Sequence, residues 1–462
     1  MEKYTFSTAE GVEVPMKLGD YFNLVHDKHI DAYGEEGADN IVENIVETYK
    51  QIQIQLASPN KNNNVLLVGK VQSGKTSNLE MLTALSFDNG YNVLVIYGGY
   101  DTSLLKQTTD RFKETFDVTG EVTYDDEGPA IFTTDDSTQI LSIDDETMTD
   151  LLENNKPVIF VSMKRPAAMR KINALFKRLD KSEFKAFIID DEGDQASLNT
   201  AKDKIKNASA TYKEIVEMKS LLDDPMYLSV TATPQANIFL DNWSALRPDS
   251  IRLIQPGKGY DGAEIYHLYE NDIVNLVSNE DHSKLAEGKI PESLWEAVRY
   301  FIVASAIKCK RATKAKERFS DMIVHAFREV LQHSSIYTSI ESYINCLKNS
   351  FEYEDEDMQG YLSDFERCFD KYVSDDVKVT ISFEEIKPEI ATVVRKTKVI
   401  LKNGIGKTTQ GNEKLKWHKI YIGGDLLQRG LTFSNLITTY FTRWATGGGN
   451  MDTNLQRARW FG

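Results

Sequence analysis

The sequence has few cysteines and no long apolar run, and both absences exclude classes of protein. Its three cysteines, Cys309, Cys346 and Cys368, are too few and too scattered for a disulfide framework or a zinc site. No apolar run approaches the ~20 residues that cross a bilayer, and the first residues lack the apolar middle of a secretion signal. His26 and His29 have no further ligand nearby, so we interpret them as surface or capping side chains. We therefore predict a cytoplasmic protein without a membrane partner.

The chain is also short of positive charge. It has 54 Lys and Arg residues against 70 Asp and Glu residues, a net charge of −16. That charge argues against a generally sticky nucleic-acid binder, because phosphate binding needs local positive charge. Two basic segments are exceptions, residues 164–181 and residues 308–318. Each is either a solvated helix face or a surface that contacts phosphates, and the sequence leaves both interpretations open.

One segment has the outline of a phosphate-binding loop. The apolar run NVLLV predicts a buried strand before Gly69, and a helical pattern follows Lys75. The residues between them fit GxxxxGK(S/T), in which backbone N–H groups and the helix N-terminus hold phosphates. Lys75 would neutralise the β- and γ-phosphates of ATP, and the Thr76 hydroxyl would bind Mg²⁺. The predicted nucleotide-binding residues of this loop are Gly69, Gln72, Ser73, Gly74, Lys75 and Thr76.

A second GKT, at residues 406–408, provides an internal comparison. It lacks the upstream glycine that the pattern requires, and it lies in the turn-rich stretch NGIGKTTQGN. We interpret the first GKT as a P-loop and the second as an ordinary loop.

An apolar strand that ends in carboxylates follows further along the chain, in FKAFIIDDEGDQAS. In a nucleotide-binding sheet, an acid at this position anchors Mg²⁺. We assign the Mg²⁺ contact to Asp191 and the polarisation of the attacking water to Glu192. Asp190 is the alternative if the register differs by one residue. An acidic strand end that caps the next helix would give the same pattern.

The segment YLSVTATPQANIFLD predicts another strand, over residues 227–230, which the small hydroxyl residues of TATP interrupt. The hydroxyls of Thr231 and Thr233 could donate hydrogen bonds to the carboxylates of residues 191–194. A plain turn would have a similar sequence.

The order GKVQSGKT, DDEGD, TATP resembles motifs one, two and three of the helicase superfamily-two core. Residues 419–443, KIYIGGDLLQRGLTFSNLITTYFTR, look like the motif-five region, in which Arg429 either senses nucleotide or grips a strand. Residues 454–462, NLQRARWFG, look like motif six, with Gln456 at the nucleotide and Arg459 as an arginine finger. A second motif-six arginine would fall at Gly462, the last residue, so we expect a longer protein.

The segments TATPQAN, GGDLLQRGLT and RWFG are most similar to the Z-one domain family. Its members are large bacterial proteins, described as endonucleases and often encoded beside restriction, modification or phage-defence genes. The resemblance implies an α/β fold with two RecA-like P-loop NTPase lobes, a helicase superfamily-two-like core. ATP and Mg²⁺ would lie between the lobes, with Lys75, Thr76, Asp191 and Glu192 on one wall and Arg459 on the other.

The length of 462 residues allows two or three domains. We predict an N-terminal helical element over residues 1–60 and a first lobe over residues 61–255. A helical connector over residues 256–316 would lead to a second lobe over residues 317–462, incomplete at its C-terminal end.

The resemblance also implies nucleic-acid contacts, which we place at Gly98, Gly99, Thr102, Gln107, Lys164, Arg165 and Arg429. The leading functional hypothesis is an ATP-dependent DNA translocase or helicase-like motor of a restriction or anti-phage defence system. Its partners would be DNA and other defence proteins, such as a nuclease, a methyltransferase or a second ATPase. One alternative is an ATP-gated switch or scaffold that does not translocate.

A second alternative is an endonuclease with its own metal centre. Its best candidate residues are Asp376 with Glu385, Ile386 and Lys387, a loose D…ExK pattern that occurs by chance in most charged chains.

Overall fold

In the computed structural model, the chain divides into unit 1, Met1–Leu268, and unit 2, Tyr269–Trp460. The structure describes residues 3–442 with the exception of 8–12, 57–62, 100–101, 119–127, 135–139, 141–142, 183, 200–207, 261, 263–273, 327–329, 374–379, 403–416, 425–432 and 434. Within these described residues, no helix combines the length and apolar character that a bilayer-spanning segment needs.

Unit 1 is an α/β structure. Its strands are β1 (Lys3–Ser7), β2 (Glu13–Lys17), β3 (Asn64–Gly69), β4 (Val93–Tyr97), β5 (Ala130–Thr133), β6 (Val158–Ser162), β7 (Ala186–Asp191), β8 (Met226–Thr231) and β9 (Ser250–Ile254). Its helices are α1 (Asp20–Leu56), α2 (Lys75–Asp88), α3 (Thr102–Thr115), α4 (Asp145–Glu153), α5 (Pro166–Phe176), α6 (Ala210–Leu221) and α7 (Gln235–Ile238).

The central sheet of unit 1 has the strand order β5-β6-β4-β7-β8-β3-β9, and every pairing is parallel. Strands β4, β6 and β8 are buried along their whole length, as parallel strands covered by helices on both faces must be. Strand β8 lies between β3 and β7. The segments that follow these three strands, GKVQSGKT, DDEGD and TATP, therefore meet at one edge of the sheet.

The N-terminal helix α1 packs into the core of unit 1, where its apolar side chains belong to the same buried cluster as those of α2 and β3. Asp88, at the end of α2, accepts hydrogen bonds from the backbone N–H groups of Gly19 and Phe22, both at 2.9 Å. The carboxylate thereby caps the N-terminus of α1. The expectation that His29 is a surface or capping side chain is wrong, since it lies inside α1, is 5 % exposed and is 3.4 Å from a carboxylate oxygen of Glu80 on α2.

Unit 2 is a second α/β structure with a parallel sheet, so that the two units have the RecA-like architecture expected from the sequence. Its strands are β10 (Ser320–His325), β11 (Thr397–Lys402), β12 (His418–Gly423) and β13 (Leu436–Phe441), in the order β11-β12-β10-β13. Its helices are α8 (Asn279–Ala286), α9 (Glu292–Arg311), α10 (Val330–Tyr353), α11 (Asp357–Tyr372) and α12 (Phe383–Lys396), and a short 3-10 helix spans Ala315–Arg318.

A buried histidine, His418, begins strand β12 of unit 2. It is fully buried, and its Nε2 lies 3.8 Å from the Cys309 sulfur. Burial, together with the nearby charges of Lys396 and Lys308, lowers the pKa of His418 from 6.5 to about 4. The folded state therefore resists protonation of this side chain more than the unfolded state does.

We expect unit 2 to lose stability as the pH falls from 6.5 towards 4. In this range the unfolded chain binds a proton at His418 that the folded chain does not, so low pH favours unfolding. The shift corresponds to about 3 kcal/mol. Urea unfolding at several pH values, followed by fluorescence, would measure it. A His418→Gln variant should lose this pH dependence, and a His282→Gln control should keep it. An unchanged pH dependence in His418→Gln would contradict the assignment.

Candidate nucleotide-binding site

The loop between β3 and α2 has the backbone conformation that its glycines allow. Gly74 lies in the left-handed region with φ 82°, as does Gln72 with φ 57°. At Gly69, an added Cβ would lie 2.6 Å from Cγ of Lys75 and 2.9 Å from the Ser73 hydroxyl. The backbone at Gly69 is therefore packed directly against the residues that follow it in the loop.

Three observations show that this loop fits a phosphate group. The Ser73 hydroxyl is buried and has no hydrogen-bond partner among the described residues. Helix α2 has no side-chain cap at Gly74 and no acidic residue in its first turn, so its N-terminal N–H groups suit an anion. The Lys75 ammonium donates to the carbonyl of Lys70 at 2.9 Å, which keeps its charge beside the loop.

Asp190 is part of the core of unit 1. It is completely buried, and its carboxylate forms an ion pair with Lys164 at 2.6 Å. It also accepts hydrogen bonds from the hydroxyls of Ser197, at 2.9 Å, and Tyr227. A carboxylate that is buried and satisfied in this way holds the strand end in place. These partners occupy both carboxylate oxygens of Asp190, which favours Asp191 over Asp190 as the Mg²⁺ contact.

Asp191 and Glu192 follow at the end of β7. Burial and the neighbouring carboxylate of Glu192 raise the pKa of Asp191, while Lys164 and Lys75 oppose this shift. A divalent cation would stabilise the ionised form of Asp191 in the same way as these lysines do. Thr76, the other expected Mg²⁺ ligand, is half-buried in the first turn of α2.

The two predicted Mg²⁺ ligands, Thr76 and Asp191, fit a site that the nucleotide completes. The described residues contain no cluster of three or more His, Cys, Asp or Glu side chains that could hold a metal by themselves. Mg²⁺ in nucleotide sites is usually held by one or two protein ligands together with phosphate oxygens and water. Thr76 and Asp191 would form such a small ligand set.

The hydroxyls of the TATP segment bind the DDEGD segment, as the sequence predicts. Thr231 and Thr233 donate to the two carboxylate oxygens of Asp194, at 2.6 Å and 2.7 Å. The N–H of Gly193 donates to the carbonyl of Val230 at 2.9 Å. These hydrogen bonds join the TATP and DDEGD segments into one unit at the edge of the sheet. A displacement of one segment therefore strains the other.

We expect Gly193→Ala to destabilise unit 1, because its Cβ would lie 2.0 Å from the Ser229 hydroxyl on β8. The crowding should cost about 1–3 kcal/mol of the free energy of unfolding, measured by urea titration. The double variant Gly193→Ala/Ser229→Gly should recover part of this loss. Gly257→Ala is the uncrowded control, since the nearest described atom to an added Cβ there would be Asn40 Oδ1 at 3.8 Å. A parental midpoint for Gly193→Ala would contradict the close approach.

The expected nucleic-acid contacts of unit 1 lie in two neighbouring loops and on α3. The N–H of Gly98 donates to the carbonyl of Ser162 at 3.0 Å, and the carbonyl of Gly99 accepts from the N–H of Lys164 at 2.9 Å. Thr102 and Arg165 are exposed, while Gln107 on α3 is half-buried. These two loops are thus joined by backbone hydrogen bonds, and both end near the DDEGD strand.

The expectation that Lys164 contacts a DNA phosphate is wrong. Its side chain is 1 % exposed and is bound to Asp190 inside the unit. Further along the same basic segment, Arg170 lies 3.4 Å from Glu214, on α6. This part of the segment pairs with acidic side chains of the neighbouring helix, as in the interpretation of a solvated helix face.

The expected site residues of unit 2 lie outside the described residues, namely Arg429, Gln456, Arg459, Asp376 and the second GKT. Glu385 is described, and it belongs to a capping box at the start of α12: its carboxylate accepts from the backbone and hydroxyl of Ser382, both at 2.8 Å. This role explains Glu385 without a metal centre.

Two family models match the chain. Residues 28–236 match the type III restriction enzyme res subunit, which covers the P-loop, DDEGD and TATP, and residues 293–462 match the Z1 domain. No curated protein matches the chain.

Several solved helicase structures are similar to this chain at low sequence identity. S. cerevisiae Dbp5 bound to RNA and ADP BeF3 is 13 % identical with a TM-score of 0.39, covering 91 % of this chain and 83 % of that one. MrfA, a DUF1998 helicase, bound to DNA and AMPPNP is 12 % identical with a TM-score of 0.43, covering 93 % and 46 %. RecG bound to a three-way DNA junction is 13 % identical with a TM-score of 0.34, covering 87 % and 49 %. The chain thus spans about half the length of MrfA and RecG.

Proposed function

We propose that this chain, a Z1-domain helicase-like P-loop ATPase, hydrolyses ATP to move along DNA in a bacterial restriction or anti-phage defence system. The main support for the proposal is the direct hydrogen bonding between the DDEGD and TATP segments. TATP follows β8, which is the neighbour of the P-loop strand β3 in the sheet. A change at the phosphates can reach the neighbouring segments only if the three are mechanically joined, as a motor requires.

Each residue has a distinct task in this proposal. Lys75 and the N-terminus of α2 hold the phosphates of ATP, and Glu192 orients and polarises the attacking water. Thr76 and Asp191 would hold Mg²⁺, which supplies a positive charge that stabilises the phosphates in the transition state. The exposed Thr102 and Arg165 would contact the DNA backbone.

Translocation has a direct test. A third strand annealed to duplex DNA is displaced by a protein that moves along the duplex, and its release can be followed by fluorescence. We expect displacement by the parent protein with ATP and none by Glu192→Gln. Hydrolysis of ATP without displacement of the third strand from duplex DNA, and without displacement of streptavidin from the biotinylated end of single-stranded DNA, would reject the motor.

The net charge of −16 favours a second candidate, an ATP-gated switch or scaffold that does not track along DNA. DNA affinity as a function of salt separates the two. A motor that contacts several phosphates should lose affinity steeply as salt rises, since each contact releases counterions. A switch should bind DNA weakly at every salt concentration.

The defence role needs a separate experiment in cells. The system that encodes the protein would be transferred to a phage-sensitive host, with the parent chain or with Lys75→Ala. We expect protection only with the parent chain. Equal protection by the parent chain and by Lys75→Ala would show that defence does not need the ATPase. Co-purification from the same cells would test the proposed partners, a nuclease, a methyltransferase or a second ATPase.

A further inference from the structure

Lys164 is a buried cation, outside the DDEGD segment in sequence, that contacts two residues of that segment. Its ammonium lies 2.6 Å from a carboxylate oxygen of Asp190 and donates to the backbone carbonyl of Glu192 at 2.8 Å. A buried lysine is costly unless it is paired, and the ion pair with Asp190 meets that cost. The hydrogen bond to the carbonyl of Glu192 is not needed to neutralise the Lys164 ammonium, because the Asp190 carboxylate already does so.

Glu192 has a backbone conformation that needs support. Its φ of 52° lies in the left-handed region, which is uncommon for a residue with a Cβ. Such a residue persists where the surroundings fix it, and here its carbonyl accepts two hydrogen bonds, from Lys164 and from the N–H of Gln195 at 2.9 Å. Its own N–H donates to Asp191 at 3.0 Å.

The backbone of Lys164 is bound at the same time to a different segment. Its N–H donates to the carbonyl of Gly99 at 2.9 Å, in the loop that follows β4. One residue therefore joins the Gly98–Gly99 loop, through its backbone, to the DDEGD turn, through its side chain.

We propose that Lys164 is a positioning residue for hydrolysis: by fixing the backbone of Glu192, it places that carboxylate for the attacking water. This inference rests on the proposed function, in which Glu192 polarises the water. Since Lys164 also contacts the Gly99 loop, it offers a physical route by which DNA at that loop would alter the rate of hydrolysis.

The double variant Lys164→Met/Asp190→Asn and the single variant Lys164→Arg separate positioning from folding. Lys164→Met alone leaves Asp190 buried without its cation and is expected to unfold the protein. The double variant Lys164→Met/Asp190→Asn removes both charges together, and the Tyr227 hydroxyl can accept a hydrogen bond from the new amide. It lacks the contact with the Glu192 carbonyl. Lys164→Arg keeps a cation that can reach both oxygens.

The double variant should unfold near the parental urea midpoint and bind a fluorescent ATP analogue with little change in Kd. Its kcat should fall about 10–100-fold, as expected for a small displacement of a catalytic group. Lys164→Arg should retain most of kcat. Hydrogen exchange of residues 190–197 should be faster in the double variant than in the parent.

A folded double variant with the parental kcat would overturn the inference, as would a parallel loss of binding and kcat. If the parent protein hydrolyses no ATP, the proposed function fails, and the hydrogen-exchange result alone then decides the positioning role. Unchanged exchange at residues 190–197 would reject it.

Discussion

Replacing Glu192 with glutamine is expected to lower kcat for ATP hydrolysis by about 10²–10⁴-fold, the usual contribution of a general base. The amide has nearly the same shape as the carboxylate but cannot take a proton from water. Glu192 directly follows Asp191 at the end of β7, and its backbone is fixed by hydrogen bonds on both sides. Those bonds use main-chain atoms of Glu192, so the substitution preserves them.

Nucleotide binding should be retained in Glu192→Gln, because the P-loop, and not Glu192, would contact the phosphates of the nucleotide. Kd for a fluorescent ATP analogue and single-turnover hydrolysis would be measured on the same preparation. Glu287→Gln is the matched control, since that carboxylate is exposed and its ion pair is with Lys289. Turnover by Glu192→Gln at the rate of this control would show that another group activates the water.

The second large effect is expected from Lys75→Ala, which should weaken ATP binding about 10–100-fold. Charge-assisted hydrogen bonds contribute roughly 1.5–3 kcal/mol each, and tenfold in affinity corresponds to about 1.4 kcal/mol. The loss should be larger for ATP than for AMP, because the ammonium would contact the β- and γ-phosphates. Calorimetric titrations with both nucleotides would measure the difference.

The chain contains its own control for this substitution. Lys407 has the same local sequence, GKT, but it lacks the upstream glycine that the P-loop pattern requires. Lys407→Ala should bind ATP with the parental affinity. If Lys407→Ala weakened binding as much as Lys75→Ala does, the distinction between the two GKT segments would be wrong.

The parts of the site that follow local rules could be predicted from the sequence. Gly69 and Gly74 mark the loop because glycine accommodates close contacts and positive φ without steric cost, and the two are found in those roles, Gly69 at the close contact and Gly74 at the positive φ. The TATP hydroxyls were expected to bind an acid of the DDEGD segment. The choice among Asp191 to Asp194 depended on the distance between two strands that are far apart in sequence, and the structure places the bonds at Asp194.

Burial was the quantity that the sequence did not provide. Lys164 belongs to a segment rich in basic residues, and charge alone placed it on the surface. Its position immediately after the apolar run VIFVSM was the available signal, since the end of a buried strand lies near the ends of its neighbours. The same lack of burial information left Asp190 open as a metal ligand. It also hid the pairing of His29 with Glu80.

The N-terminal hairpin was missed for a different reason. Strands β1 and β2 pair with each other in an antiparallel register, from Lys3 opposite Lys17 to Ser7 opposite Glu13. They are short, and β2 contains Pro15, which is uncommon inside strands. Without a clear alternation of apolar residues, the pattern of the following helix dominated the prediction for residues 1–60.

Steady-state ATP hydrolysis with and without single- and double-stranded DNA, using Glu192→Gln as the blank, distinguishes a DNA motor from an ATP-gated switch. We expect hydrolysis well above the blank that rises further when DNA is added and falls back as salt weakens DNA binding. Hydrolysis that stays the same with and without DNA at every salt concentration would contradict the motor and leave the ATP-gated switch.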